Sequence, residues 1–122
     1  MKIILVPTDF SPNADKALDF AVQIARQANA EIILIHACDL IDTTFKDNQN
    51  MYKEHNQTII DKANEQLSLL KKSIEDTEKL FVNIKLYKGT VTDSILQSSE
   101  EHPADLIIMG VTSPSAAIAP KR

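Results

Sequence analysis

Near the start of the chain four consecutive apolar residues, Ile3-Ile4-Leu5-Val6, run into Pro7. A run that is apolar on both alternating faces predicts a strand buried on both sides, as in a parallel sheet. Pro7 ends ladder donation at that point. A polar turn follows, Thr8-Asp9-Phe10-Ser11. Ser11 is a favourable N-cap, and Pro12 stands where the first helical residue tolerates proline. Beyond it Ala14, Ala17, Leu18, Ala21, Ile24, Ala25 and Ala28 recur at the i, i+3, i+4 spacing of one helix face. The alanines would let this helix lie close to a sheet. Residues 31–37, EIILIHA, predict a second continuous buried strand. The polar stretch 38–50 reads as a loop, long enough to be a candidate lid or ligand wall.

From about Met51 to Glu75 the pattern is helical, with Tyr52, Ile59, Ile60, Ala63, Leu67, Leu70 and Ile74 on one side. Lysines and acids fill most of the other side. Residues 81–88 alternate, Val82, Ile84 and Leu86 against Asn83, Lys85 and Tyr87, the pattern of a sheet-edge strand with one wetter face. After Gly89, Thr90 can cap a helix over 91–101, with Asp93 completing a capping-box-like pair. Val91, Ile95 and Leu96 are its expected apolar contacts. Residues 105–110, DLIIMG, predict a fourth strand ending in glycine, and 111–122 an irregular tail.

This β-α-β-α-β-α-β order predicts one α/β domain over residues 1–110. The two most apolar strands belong in the middle of a parallel sheet of order 3-2-1-4. A ligand crevice is expected between strands 1 and 4, where the winding direction reverses.

Composition narrows the function. A net charge of -4 and the lack of a basic stripe argue against a nucleic-acid partner. The absence of Trp argues against stacking platforms for single strands. Cys38 is the single cysteine, which excludes an internal disulfide and favours a reducing compartment. The longest apolar run falls far short of a membrane span, and no charged start with a cleavage site precedes the first strand. The expectation is a cytoplasmic protein with no membrane partner.

In order and spacing, ILVPTDFSPNADKAL, EIILIHA, KGTVTDSI and ADLIIMG resemble the universal stress protein family over roughly residues 2–110. The resemblance implies a Rossmann-like fold of the adenine nucleotide alpha hydrolase-like kind, with strand order 3-2-1-4-5. It also implies homodimers or paired tandem domains, and a role in surviving stress. One branch of the family binds ATP and the other does not. Carried over by position, Asp9 would lie near the adenosine moiety with Pro7 and Thr8 beside it. Ala37 would meet the adenine edge through its backbone, and Met109 and Gly110 would begin the phosphate loop.

The ATP-binding pattern continues from that glycine as G-x2-G-x9-G-(S/T), whereas no glycine follows Gly110 here. Ser113 stands in the second glycine's place, and Pro114 after it supplies no amide donor. The family's fourth helix and fifth strand also find no counterpart in this sequence. Leaving a few hundred Å2 of apolar face open would forfeit roughly 5 to 10 kcal/mol at about 25 cal/mol per Å2. The expectation is therefore a truncated form, or a partner, as a second copy or a tandem domain, along the 104–110 edge.

Each candidate residue has a plainer role as well. Asp9 serves equally as a turn carboxylate bonded to amides of the next helix, and Thr8 and Ser11 as turn and cap hydroxyls. Thr90 and Asp93 fit simple capping better than an anion site, since Asp93 would repel phosphate. His36 reads as a hydrogen-bonded core histidine. No two histidines have ligand spacing, so no metal site is expected. Cys38 lacks a recognisable catalytic partner. The amides of Val111-Thr112-Ser113 are a further candidate anion contact. These readings add up to a stress-response binding or regulatory module, not an enzyme, with an incomplete adenine-nucleotide pocket and AMP or ATP as candidate ligands. The alternative is an ATP-binding, slowly ATP-hydrolysing or adenylating Rossmann-like protein whose phosphate loop lies elsewhere.

Overall fold

The computed structural model describes residues 2–40 and 49–110. Strand β1 (Lys2–Pro7) leads into helix α1 (Pro12–Ala28), and strand β2 (Ala30–Cys38) into helix α2 (Gln49–Glu78). Strand β3 (Val82–Lys88), helix α3 (Val91–Glu101) and strand β4 (Leu106–Ile107) complete the order. The strands form one parallel sheet in the order β3-β2-β1-β4, as the apolar runs predict.

Alternation along the strands divides the core into two layers. Ile4, Val6, Ile32, Leu34 and Val82 face α1 and α2, where Leu18, Ala21, Val22, Ala25, Leu67 and Ile74 meet them. Leu5, Ile33, Ile35 and Tyr87 form the other layer, with Ile95 of α3 and Ala104 against it. Each large aliphatic side chain fully buried this way stabilises the fold by roughly 1.5–3 kcal/mol.

The helix ends follow their residues. Ser11 accepts from the Ala14 amide at 3.1 Å, and Pro12 opens α1. Asn29 closes it in the left-handed conformation, its N–H donating to the Ala25 carbonyl, a position where Asn is tolerated. Thr90 caps α3 by accepting from the Asp93 amide at 3.1 Å.

Several details differ from the sequence-based expectations. Helix α2 spans 30 residues, starting at Gln49 and ending at Glu78. Along its polar face local bonds form, such as Gln57 donating to Asp61 at 2.8 Å. Left-handed Lys79 then stops it. In α1, Val22 joins the buried face and Ala28 does not. In α3 the fully buried residues are Ser94 and Ser98; Ile95 packs against the sheet as expected, while Val91 and Leu96 stand exposed. Two small side chains four residues apart let α3 settle close to the sheet, and Val91 and Leu96 are left outside. Tyr87, expected on a wet face, is buried beneath α3, its hydroxyl donating to Glu101 at 2.9 Å.

Strand β4 has two ladder residues instead of the six expected over 105–110. Its attachment to β1 is nevertheless longer than its ladder. The Asp105 carboxylate accepts from the Ile3 amide at 2.9 Å, the Asp105 amide donates to the Ile3 carbonyl, and the Ile108 amide donates to the Leu5 carbonyl. A side chain thus takes the place of a ladder carbonyl at the strand's start. Leu106 and Ile107 are partly exposed at this edge. Most of the expected 38–50 loop, namely 41–48, and the expected tail 111–122 lie outside the described residues.

Candidate functional site

At the carboxyl ends of β1 and β2 the chain encloses a cavity of about 380 Å3, within the range of small-molecule sites. Pro7, Thr8 and Asp9 contribute from the end of β1, and Ile35, His36 and Ala37 from β2. Met109 and Gly110 close it after β4. All six candidate residues from the sequence, Pro7, Thr8, Asp9, Ala37, Met109 and Gly110, therefore line one space. Ala14 and the first turn of α3, through Val91, Thr92 and Ser94, supply the rest of the wall. These residues and His36 were not singled out beforehand as site residues. Val91 and Ser94 could have been flagged only by knowing that the start of α3 faces the crevice.

The loop after β1 is tied down by several hydrogen bonds. The Thr8 amide donates to the Ile35 carbonyl at 2.8 Å, and the Thr8 hydroxyl accepts from the Phe10 amide at 3.0 Å. His36 Nδ1 lies 2.7 Å from the Thr8 carbonyl. Because a carbonyl can only accept, Nδ1 carries the proton. Phe10 takes a left-handed φ of 64°, which for a side chain of this size costs on the order of 1 kcal/mol. Its ring rests on the imidazole with centroids 4.6 Å apart. His36 is accordingly hydrogen-bonded as expected, but it is half-buried at the cavity rim and not a core residue.

Asp9 performs the plainer role foreseen for it, accepting from the Ser11 amide at 3.0 Å in a turn, and lines the cavity as well. Hydrogen bonding from Ser11 holds its carboxyl below the ordinary value of 3.8 against some desolvation, with a smaller Coulombic contribution from His36. It is the one acid or base of fixed charge among the described lining residues, which include no Lys or Arg. The walls at Ile35, Val91 and Met109 are apolar, and Thr8, Thr92 and Ser94 offer hydroxyls.

Gly110 is required for contact and not for conformation. A Cβ there would fall 2.5 Å from the Asn13 carbonyl oxygen and 2.9 Å from the Ala14 nitrogen. The chain after β4 thus passes directly over the first turn of α1. The expected anion contacts at Val111, Thr112 and Ser113 lie outside the described residues. Burial raises the pKa of the Cys38 thiol, which disfavours the nucleophilic thiolate. Among the described residues no helix is long and apolar enough to cross a membrane, and no group of three or more His, Cys, Asp or Glu is placed to hold a metal.

A model described as the universal stress protein family matches residues 1–118. The curated Universal stress protein MJ0531 of Methanocaldococcus jannaschii is 26% identical over 111 residues, covering 91% of this chain. The chain spans only 65% of that relative's length. Among solved structures, the protein designated MJ0577 aligns with a TM-score of 0.77 at 28% identity, over 93% of this chain and 77% of its own. UspA from Lactobacillus plantarum aligns with a TM-score of 0.77 at 24% identity, over 93% of this chain and 81% of its own. That last likeness bears on the fold alone.

Proposed function

The chain belongs to the universal stress protein family, and from that premise we propose that it is a stress-response binding module whose crevice takes an adenine nucleoside or its monophosphate in preference to a triphosphate. The observation that carries this reading is the convergence of Pro7, Thr8, Asp9, Ala37, Met109 and Gly110 on one cavity whose described wall holds a carboxylate and no cation. The adenine ring would lie between the apolar walls, its edge against the Ala37 backbone. Asp9 would accept from ribose hydroxyls. A single phosphate would turn toward the Thr92 hydroxyl on the wall. Further phosphates would meet Ser113 and Pro114 where the ATP-binding pattern has its second glycine, and would stand near the Asp9 carboxylate. The exposed β4 edge at Leu106 and Ile107 suits pairing with a second copy or a tandem domain.

Calorimetric titration with adenosine, AMP and ATP tests the assignment. Adenosine and AMP should bind more tightly than ATP, and Asp9→Ala should abolish the preference for nucleosides carrying ribose hydroxyls over their dideoxy analogues. ATP binding tighter than adenosine, or ATP turnover by the purified chain, would overturn it in favour of an ATP-using protein.

A further inference from the structure

We infer that His36 is a positioning residue that holds the Asp9 loop in its cavity-forming shape from the opposite side of the sheet. The inference rests on the nucleoside-pocket reading for its purpose, but its geometry stands independently. Alternation along β2 puts His36 on the face of Ile32 and Leu34, toward α1 and α2, whereas Ile35 and Ala37 face α3. From that side its Nδ1–H donates to the Thr8 carbonyl at 2.7 Å. The ring of Phe10, the residue after Asp9, lies on the imidazole. Asp9 is therefore bracketed by two residues that both lean on one side chain.

The bracket matters because the loop is not in its resting conformation. Phe10 keeps its left-handed φ of 64°, a state that persists only where the surroundings impose it. Three contacts hold it here: the ring pair with His36, the Phe10 amide's bond to the Thr8 hydroxyl at 3.0 Å, and the packing of Phe10 against the α1/α2 core layer. Thr8 itself is buried, with its amide committed to Ile35 and its carbonyl to His36. Removing the imidazole strands that carbonyl and takes the ring pair from Phe10, so the turn that presents Asp9 keeps only the Thr8 hydroxyl bond and the packing of Phe10 on the core.

Amide hydrogen exchange in the ligand-free protein reads this directly. In His36→Leu the Phe10 and Ser11 amides should exchange about tenfold faster, while Ile33 and Leu34 in the strand core stay unchanged. His36→Asn carries an amide N–H near the position of Nδ1 and should recover most of the protection. His36→Gln places its donor farther out and should not. Loop exchange equal to wild type in His36→Leu would overturn the inference. Should that variant fail to fold, 15N chemical shifts of the wild-type imidazole decide the matter: Nδ1 protonated near neutral pH supports the clamp, and a bare Nδ1 refutes it. Wild-type protein that does not bind adenosine would sink the nucleoside reading alone, because exchange and tautomer are measured without ligand.

Discussion

Gly110→Ala isolates the contact that closes the cavity. The added methyl would lie 2.5 Å from the Asn13 oxygen, 2.6 Å from its carbonyl carbon and 2.9 Å from the Ala14 nitrogen. All three are backbone atoms of the first turn of α1, so no side chain can rotate away to make room. Either the 109–110 segment lifts off α1 or α1 shifts at its capped end. Overpacking of this kind costs about 1–3 kcal/mol. Loss of glycine's freedom in the unfolded chain returns about 0.4–1 kcal/mol, leaving a net loss of roughly 1–2 kcal/mol. With a urea slope of about 1–1.5 kcal/mol/M for a domain of this size, the midpoint should fall by about 1 M. Gly89→Ala serves as the comparison. Nothing lies within 4 Å of its added methyl, but its φ of +116° strains any L side chain. It should lose comparable stability, about 1–3 kcal/mol, and keep wild-type adenosine affinity, because Gly89 is not part of the cavity wall. Gly110→Ala should lose both. A Gly110→Ala urea midpoint within about 0.2 M of wild type would refute the close approach of this segment to α1.

Two further outcomes follow from burial and charge. Leu67→Ala should destabilise the domain by about 2–5 kcal/mol, because the side chain is fully buried between α2 and the sheet. Leu69→Ala, two positions along the same helix but exposed, should stay within about 0.5 kcal/mol in the same chemical denaturation assay. Since the Asp9 carboxyl has a lowered pKa in the fold, its contribution is present above the ordinary value of 3.8 and vanishes as pH falls through the folded value. The stability difference between wild type and Asp9→Asn, measured by urea melts from pH 7 to pH 2, should therefore shrink on the acid side; a difference that widened there would contradict the assigned hydrogen bonds.

What the residues disclosed in advance depended on how many neighbours each position has. The strands at Ile3–Val6 and Ile32–Ile35 were legible because both of their faces are covered, so no polar residue interrupts the run. The first helix was legible from Ser11, Pro12 and its alanine stripe. Tyr87 was misplaced because its burial comes from α3 folding back over the edge strand, a contact that no pattern within 81–88 encodes. Ser94 and Ser98 were overlooked for a related reason: a small polar residue buried by close approach looks like a surface residue until its partner is known. Hydrophobicity marks 106–109 as strand-like, but only Leu106 and Ile107 pair in the ladder with β1, and the bond at its start comes from the Asp105 side chain. In the candidate site, the residues following each strand were identified by position. His36 was recognised as hydrogen-bonded, but its link to Thr8 joins residues 28 apart in the chain, and local spacing says nothing of it.

The parallel sheet draws its crevice from distant stretches of polypeptide, since Asp9 and Gly110 stand near opposite ends of the described chain and meet only after β4 has docked against β1. No fragment short of nearly the whole domain can assemble that space. Whatever molecule occupies it would hold the native state by mass action, making occupancy a signal that the polypeptide has finished folding.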